Sequence, residues 1–409
     1  MTTTTEDGAR GTEDEVRGTE DGARGSIGAL PWPQLLRQAR RLADLGWSEV
    51  PQAAAELAEL AVAGPAEVFA LSRRLTEPNG SIVLSSGGTT GPPKITFVAY
   101  DQAVGRLLRE WRPLGPRSVL LNLFSPGRMW ASHYYVQALA ERSGCRVVPS
   151  GPLEAGELHY WLDAFESLGV NAVAGTPSGL TDLAQAMLDA DRTLPVRTVI
   201  WMAEPWTEVA EKTVRAAFPQ AEFWGNYGSV ETYVVATNTS ACDLRVLHLM
   251  PDQVLELDDA GALLSRVGEG WTLPAVRYRL GDRLAAAQCR CGRPDGLRVL
   301  GRADDAFKLH GSLLSIGELV ELATSVPGVS AAQLELLREE ESWHGVRRMT
   351  VHYTGAAEPA ELRRALLAGS ARLFGIELHH PEALEVVRVP KLTMVERTGK
   401  IPPMIWRSR

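Results

Sequence analysis

The chain has 409 residues, 45% of them hydrophobic and 22% charged, with 42 basic against 50 acidic side chains and a formal charge of −8. That is material for one large core and a smaller domain, and the basic residues nowhere gather into a patch that would neutralise a phosphate backbone, so nucleic acid is not an expected partner. No apolar stretch approaches the roughly 18 to 20 residues that cross a bilayer, and the start of the chain is acidic and threonine-rich, so no membrane association and a cytoplasmic location are expected.

The first 25 residues hold three copies of a seven-residue unit, beginning at Thr5, Thr12 and Thr19. The units are mostly glycine, threonine and charge, with no apolar pair at coiled-coil spacing, so residues 1–27 are expected to form a disordered acidic tail. From Leu30 to about Ala70, apolar residues such as Leu35, Leu36, Ala39 and Leu42 recur at helical spacing. The period then changes. Short branched runs at Ile82 to Leu84, Val119 to Leu123, Val147 to Val148, Val170 to Ala174 and Val199 to Met202 alternate with amphipathic stretches at Gln102 to Trp111, Leu158 to Leu168, Leu180 to Leu188 and Thr207 to Phe218. That alternation predicts βαβ units and a largely parallel sheet covered by helices, an α/β fold whose ligands gather where loops leave the carboxyl ends of the strands.

After the first run stands Leu84-Ser85-Ser86-Gly87-Gly88-Thr89-Thr90-Gly91-Pro92-Pro93-Lys94. Glycines without a Cβ let backbone N–H groups approach an anion, the hydroxyls add donors and Lys94 adds charge; a glycine-rich turn with no ligand is the plainer alternative. Pro93 stands where a Walker loop needs glycine. This loop resembles the phosphate loop of the acyl-adenylate-forming superfamily of acyl-CoA synthetases, luciferases and adenylation domains, and later segments agree in order. Asn226-Tyr227-Gly228-Ser229-Val230-Glu231 resembles its adenine and magnesium loop, and Tyr278-Arg279-Leu280-Gly281-Asp282 its ribose segment. Gly301-Arg302-Ala303-Asp304-Asp305 resembles its hinge, and Arg397-Thr398-Gly399-Lys400-Ile401 the segment with its catalytic lysine. Within the superfamily, Gly175-Thr176-Pro177-Ser178, Ala203-Glu204-Pro205-Trp206 and Cys289-Arg290-Cys291-Gly292-Arg293 look most like the phenylacetate-CoA ligase branch.

The resemblance implies an adenylate-forming domain over residues 28–300 and a small mobile α+β lid over 301–409. It implies ATP and Mg²⁺ as cofactors, with Ser86, Gly87, Gly88, Thr89, Thr90, Gly91 and Lys94 on the phosphates and Ala203, Glu204, Pro205, Asn226, Tyr227, Gly228 and Ser229 around the nucleotide. Glu231 would hold Mg²⁺, Asp282 would accept ribose hydroxyls, Arg302 would reach ribose or phosphate, and Asp304 would be the hinge. Lys400, arriving from the lid, would bridge the acid and the α-phosphate. Each has a plainer alternative: a solvated acid for Glu231, a core aromatic for Tyr227, an ion pair with Arg279 or Arg283 for Asp282, and a surface lysine for Lys400.

Two positions depart from the family pattern. Val230 replaces the serine or threonine usual before the glutamate, and Met202 replaces a glycine before Ala203. A repacked pocket for an unusual substrate and a weakened adenylation both follow from such changes. Trp130, His133, Tyr134, Trp201 and Met202 are candidates for the acid pocket, and their aromatic character suggests an aryl or otherwise hydrophobic acid. Cys242, His248, Cys289 and Cys291 form a candidate structural zinc set, the branch carrying a comparable cluster, although buried free thiols and a core histidine fit the same residues. Cys145 reads as core. The expected reaction joins AMP to a small carboxylic acid and passes the acyl group to coenzyme A or a carrier-protein thiol. An amine acceptor, or an inorganic acid such as nitrite, is the alternative, and a nucleotide-binding module without turnover is a third. Monomer and dimer are equally compatible with the sequence.

Overall fold

The computed structural model describes residues 25–85, 95–153, 157–271, 273–303, 305–310, 312–338, 345–396 and 398–407. The phosphate loop, Ser86 to Lys94, the hinge residue Asp304, and the repeats up to Arg24 therefore lie outside the described residues. The helical start is two helices, Trp32–Asp44 and Pro65–Thr76, each with proline in its first turn, where no N–H is needed. Leu35, Ala39 and Leu42 recur on one face of the first and are buried.

A nine-stranded sheet is the frame of the large domain. Its first half runs Arg146–Val148, Val119–Asn122, Ala172–Gly175, Thr198–Trp201 and Glu222–Ser229, all parallel. The second half turns antiparallel through Tyr233–Asn238, Leu247–Leu249, Gly296–Arg302 and Asp282–Ala286. Successive side chains of one strand point to opposite faces, so Val199 and Trp201 enter one apolar cluster while Ile200 and Met202 enter another. Helices Leu158–Ser167, Pro177–Asp189 and Glu208–Ala217 contribute to the first cluster, and Val104–Glu110 and Ala131–Arg142 to the second.

Three expectations are corrected. The run at Ile82 does not join the parallel sheet; strand Ile82–Ser85 pairs antiparallel with Ile95–Val98 in a separate two-stranded hairpin. The expected tail reached residue 27, yet Ser26–Ile27 form an edge strand against Gln253–Glu256 in a four-stranded sheet. The expected domain end at 300 falls inside a strand, because Arg302 still pairs with Asp282.

The lid has its own sheet and core. Strands Ser312–Ser315, Ala306–Leu309, Gly345–Gly355, Val329–Arg338 and Met404–Trp406 lie side by side, with Leu384–Arg388 also pairing to Gly345–Gly355. Helices Ile316–Thr324, Pro359–Gly369 and Ala371–His379 cover it through Leu319, Leu362, Leu366 and Leu373. Among the described residues no helix is long and apolar enough to cross a membrane.

Candidate active site

Where the sheet turns antiparallel, Asp282, Arg302 and Tyr227 meet. Asp282 and Arg302 face each other across paired strands, and Arg302 Nη1 lies 3.3 Å from Asp282 Oδ1. The Tyr227 hydroxyl donates to the other carboxylate oxygen at 2.7 Å. Burial raises the Asp282 carboxyl above its ordinary range, against the pull of Tyr227 and Arg302, and burial with the neighbouring carboxylate pushes the Tyr227 phenol up. Tyr227 thus enters the site as a donor to Asp282, a role its sequence position did not suggest.

Glu231 is 3% exposed, and the fully buried Tyr278 donates to its Oε1 at 2.6 Å. The turn carrying it is closed by Thr232 Oγ1, which accepts from the Ser229 N–H at 3.1 Å. Gly228 sits where the register shifts, and a Cβ there would come within 1.5 Å of the Tyr233 carbonyl oxygen, so only glycine fits. Tyr233 itself has φ +50. Arg266, buried in strand Leu263–Arg266, steadies this turn: Nη1 donates to the Thr232 carbonyl at 2.8 Å and Nη2 to the Val234 carbonyl at 3.1 Å. Burial, reinforced by Arg106, lowers its pKa to about 9. An arginine closing an apolar strand was the available signal, and sequence reading passed over it. Asn226 turns its amide to the Tyr135 hydroxyl, 3.2 Å away within the core. A buried carboxylate already oriented by a phenol is a donor suited to a hard cation such as Mg²⁺.

The lid brings Lys400 over the carboxyl ends of the parallel strands. Its Nζ lies 4.6 Å from the centre of the Trp130 ring, a cation–π contact. Gly399 approaches Pro152 and Ser125, in loops that follow two of those strands. The N–H of Ile401 donates to Glu204 Oε1 at 2.9 Å, while Glu204 Oε2 accepts from the Ser178 N–H at 3.1 Å and the Ser178 hydroxyl at 2.6 Å. Burial raises the Glu204 carboxyl, opposed by those donors and by the Lys400 charge. Ala203 and Pro205 stay exposed on either side, and Ala203 has φ +77. Within the lid, the buried Gln333 amide donates to the Thr393 carbonyl at 2.9 Å and the Pro402 carbonyl at 2.8 Å, and accepts from the Thr393 N–H at 3.1 Å.

The expected acid pocket divides. Trp130 meets Lys400, but His133 is 4% exposed with Nδ1 2.7 Å from the Phe124 carbonyl oxygen, a core histidine held by backbone. Tyr134 is half-buried and stacks edge-on against it. Trp201 and Met202 do not form one floor: Trp201 packs edge-on against Trp206 under Gly225, where a Cβ would come 2.2 Å from its ring, and Met202 lies on the opposite face of the strand. Met202 shares its apolar cluster with Val230, so the two departures from the family pattern fall together.

Cys242, His248, Cys289 and Cys291 converge, with all four ligand atoms within 4.8 Å of one another. Cys291 Sγ is 3.7 Å from Cys242 Sγ and 3.2 Å from His248 Nε2. His248 Nδ1 lies 2.7 Å from the Pro294 carbonyl oxygen, which leaves Nε2 as the ligand nitrogen, and three thiols with one imidazole suit tetrahedral zinc. The half-buried Cys145 stays apart from them.

The sequence profile of the AMP-binding enzyme family matches residues 41–296, and the chain belongs to that family. By that family it is an AMP-binding enzyme. No curated protein matches it. Among solved structures, 2-hydroxyisobutyryl-CoA ligase in the postadenylation state with 2-HIB-AMP is 15% identical, over 90% of this chain and 85% of that one, with a TM-score of 0.65. The same ligase in the thioesterification state, with 2-HIB-AMP and CoA, gives 0.52 at 16% identity over 90% and 85%. ATP-bound MatB from Rhodopseudomonas palustris is 16% identical over 77% of this chain and 65% of that one, with a TM-score of 0.54.

Proposed function

We propose that the chain activates a small hydrophobic or aryl carboxylic acid as its acyl-adenylate, releasing pyrophosphate, and then transfers the acyl group to the thiol of coenzyme A or of a carrier protein. The observation that carries this reading is the meeting of Lys400 from the lid with Trp130 of the large domain, above the strand ends. Adenylation brings a carboxylate onto a phosphate, so like charges have to be held together, and an ammonium placed at that junction offsets them. Asp282 would take the ribose hydroxyls, with Tyr227 and Arg302 fixing its two oxygens, while Glu231 would hold Mg²⁺, which supplies charge against the phosphates. Ser86 to Lys94 would grip the phosphates, and Asp304 would serve as the hinge.

The higher TM-score to the postadenylation state than to the thioesterification state of the coenzyme A ligase supports a lid set for the first half-reaction. The apolar company of Val230 and Met202 favours a hydrophobic acid. The phenylacetate-CoA ligase branch is supported by the convergence of Cys242, His248, Cys289 and Cys291, for which we propose a structural zinc: with four protein ligands, no position is open to substrate. Pyrophosphate release measured against a panel of acids, with each acceptor omitted in turn, tests the reading. Release that needs no acid, or none with any acid, would refute it.

A further inference from the structure

The sequence pattern sets Glu204 beside the nucleotide, but in the structure both of its carboxylate oxygens are taken up by Ser178 and Ile401, so it joins the two domains one residue from the lysine. We infer that Glu204 is a positioning residue that latches the lid: by holding the Ile401 N–H it fixes the backbone beside Lys400 for adenylation, and its release frees the lid for the second half-reaction. This rests on the two-step reading above.

The two oxygens divide the work. Oε2 is bound by the Ser178 N–H and hydroxyl in the first turn of helix Pro177–Asp189, so the large domain alone orients the carboxylate, aided by the positive end of that helix. Oε1 then faces the lid and accepts from Ile401. The partner is a backbone N–H, so what it fixes is the main chain next to Lys400 and not a rotatable side chain. The left-handed φ of Ala203, which L side chains rarely adopt, aims Glu204 at this junction. Other contacts also cross the boundary, among them Lys400 on Trp130 and the approach of Gly399 to Pro152, and two polar contacts lie farther off. The Thr207 hydroxyl donates to the Ser330 carbonyl at 3.2 Å, far along the lid chain from the lysine, and Arg128 meets Glu396 at 4.0 Å between exposed side chains, where screening leaves little. Neither fixes the residues flanking Lys400.

The test compares the full chain with Glu204→Ala, Glu204→Gln and Ser178→Ala. Hydrogen exchange of the Ile401 amide should be about tenfold or more faster in Glu204→Ala, as expected for losing one charge-assisted hydrogen bond, while the lid strand Val329–Arg338 keeps its protection. ATP–pyrophosphate exchange should fall by about tenfold in kcat with the KM for ATP within about twofold, whereas transfer from supplied acyl-adenylate should be unchanged or faster. Glu204→Gln, which keeps an oxygen for Ile401, and Ser178→Ala, which loosens the anchor, should fall between. Equal exchange of Ile401 in wild type and Glu204→Ala, both half-reactions failing together, or a change confined to the KM for ATP would each overturn the latch. Should the wild type exchange no pyrophosphate with any acid, the ligase reading fails, and Ile401 exchange still decides whether Glu204 holds the lid.

Discussion

Asp282, Arg302 and Tyr227 belong to a single sheet, and the charges there are set by strand pairing. Lys400 reaches Trp130 from a second domain, steadied by one hydrogen bond at the neighbouring residue. On the proposed two-step reaction, the first region would stay the same throughout and the second would have to leave. Groups that bind substrate equally throughout a reaction gain from rigidity, whereas a group needed in one half-reaction has to be withdrawn for the next.

Mutations at the two regions should therefore separate in kinetics. Lys400→Ala is expected to lower adenylation by about 100-fold or more while the KM for ATP stays within a few-fold, because the charge acts at the transferring phosphate. Unchanged single-turnover adenylate formation would end that assignment. Asp282→Ala is expected to raise the KM for ATP by about tenfold with a smaller effect on kcat, as for a lost hydrogen bond to a charged group; steady-state kinetics in which only the maximal rate moves would reverse the comparison.

The cysteine cluster offers a way to sharpen it. His248 pairs with Gly296 at the start of the strand that ends in Arg302, so losing a metal there should loosen the Asp282 side and spare the lid. Elemental analysis should give about one zinc per chain, and Cys289→Ser should lose it with a fall in Tm of roughly 5 °C. Metal-free protein with freely titrating thiols would mean the four residues only pack.

A smaller effect concerns pH. Burial raises the folded-state pKa of Asp282 above its unfolded value, so in the acid range the folded state binds more protons, and the stability this residue contributes falls as pH rises from about 4 through the raised value. Asp282→Asn removes that dependence. Thermal unfolding should show the variant gaining on wild type between pH 4 and pH 7, and a difference flat across that range would contradict the shift.

Strands Val119–Asn122, Ala172–Gly175 and Thr198–Trp201 were legible because they are buried on both faces and read as apolar runs. Strand Glu222–Ser229 was not, since five of its eight residues are polar or glycine and its identity comes from neighbours on both sides. The hairpin at Ile82 was misassigned because a short apolar run does not say which strand it will pair with. At the candidate site, motifs pointed to Lys400, Glu231 and Asp282, whereas the contacts that orient them were hidden. Arg266 works through carbonyl groups that any sequence has, and Glu204 meets Ile401 from 197 positions away.

Gln333 has a consequence for timing. By binding Thr393 and Pro402 together, its amide closes the chain around Lys400 into a ring of about ten residues on the lid sheet, and the entropy of closing that ring is lost when the lid folds, not when it docks. A lysine on a loose tail would have to search for the phosphate after every swing of the domain. Tied to the lid sheet in this way, it would travel with the lid, and the arrival of the lid and the arrival of the charge would be one event.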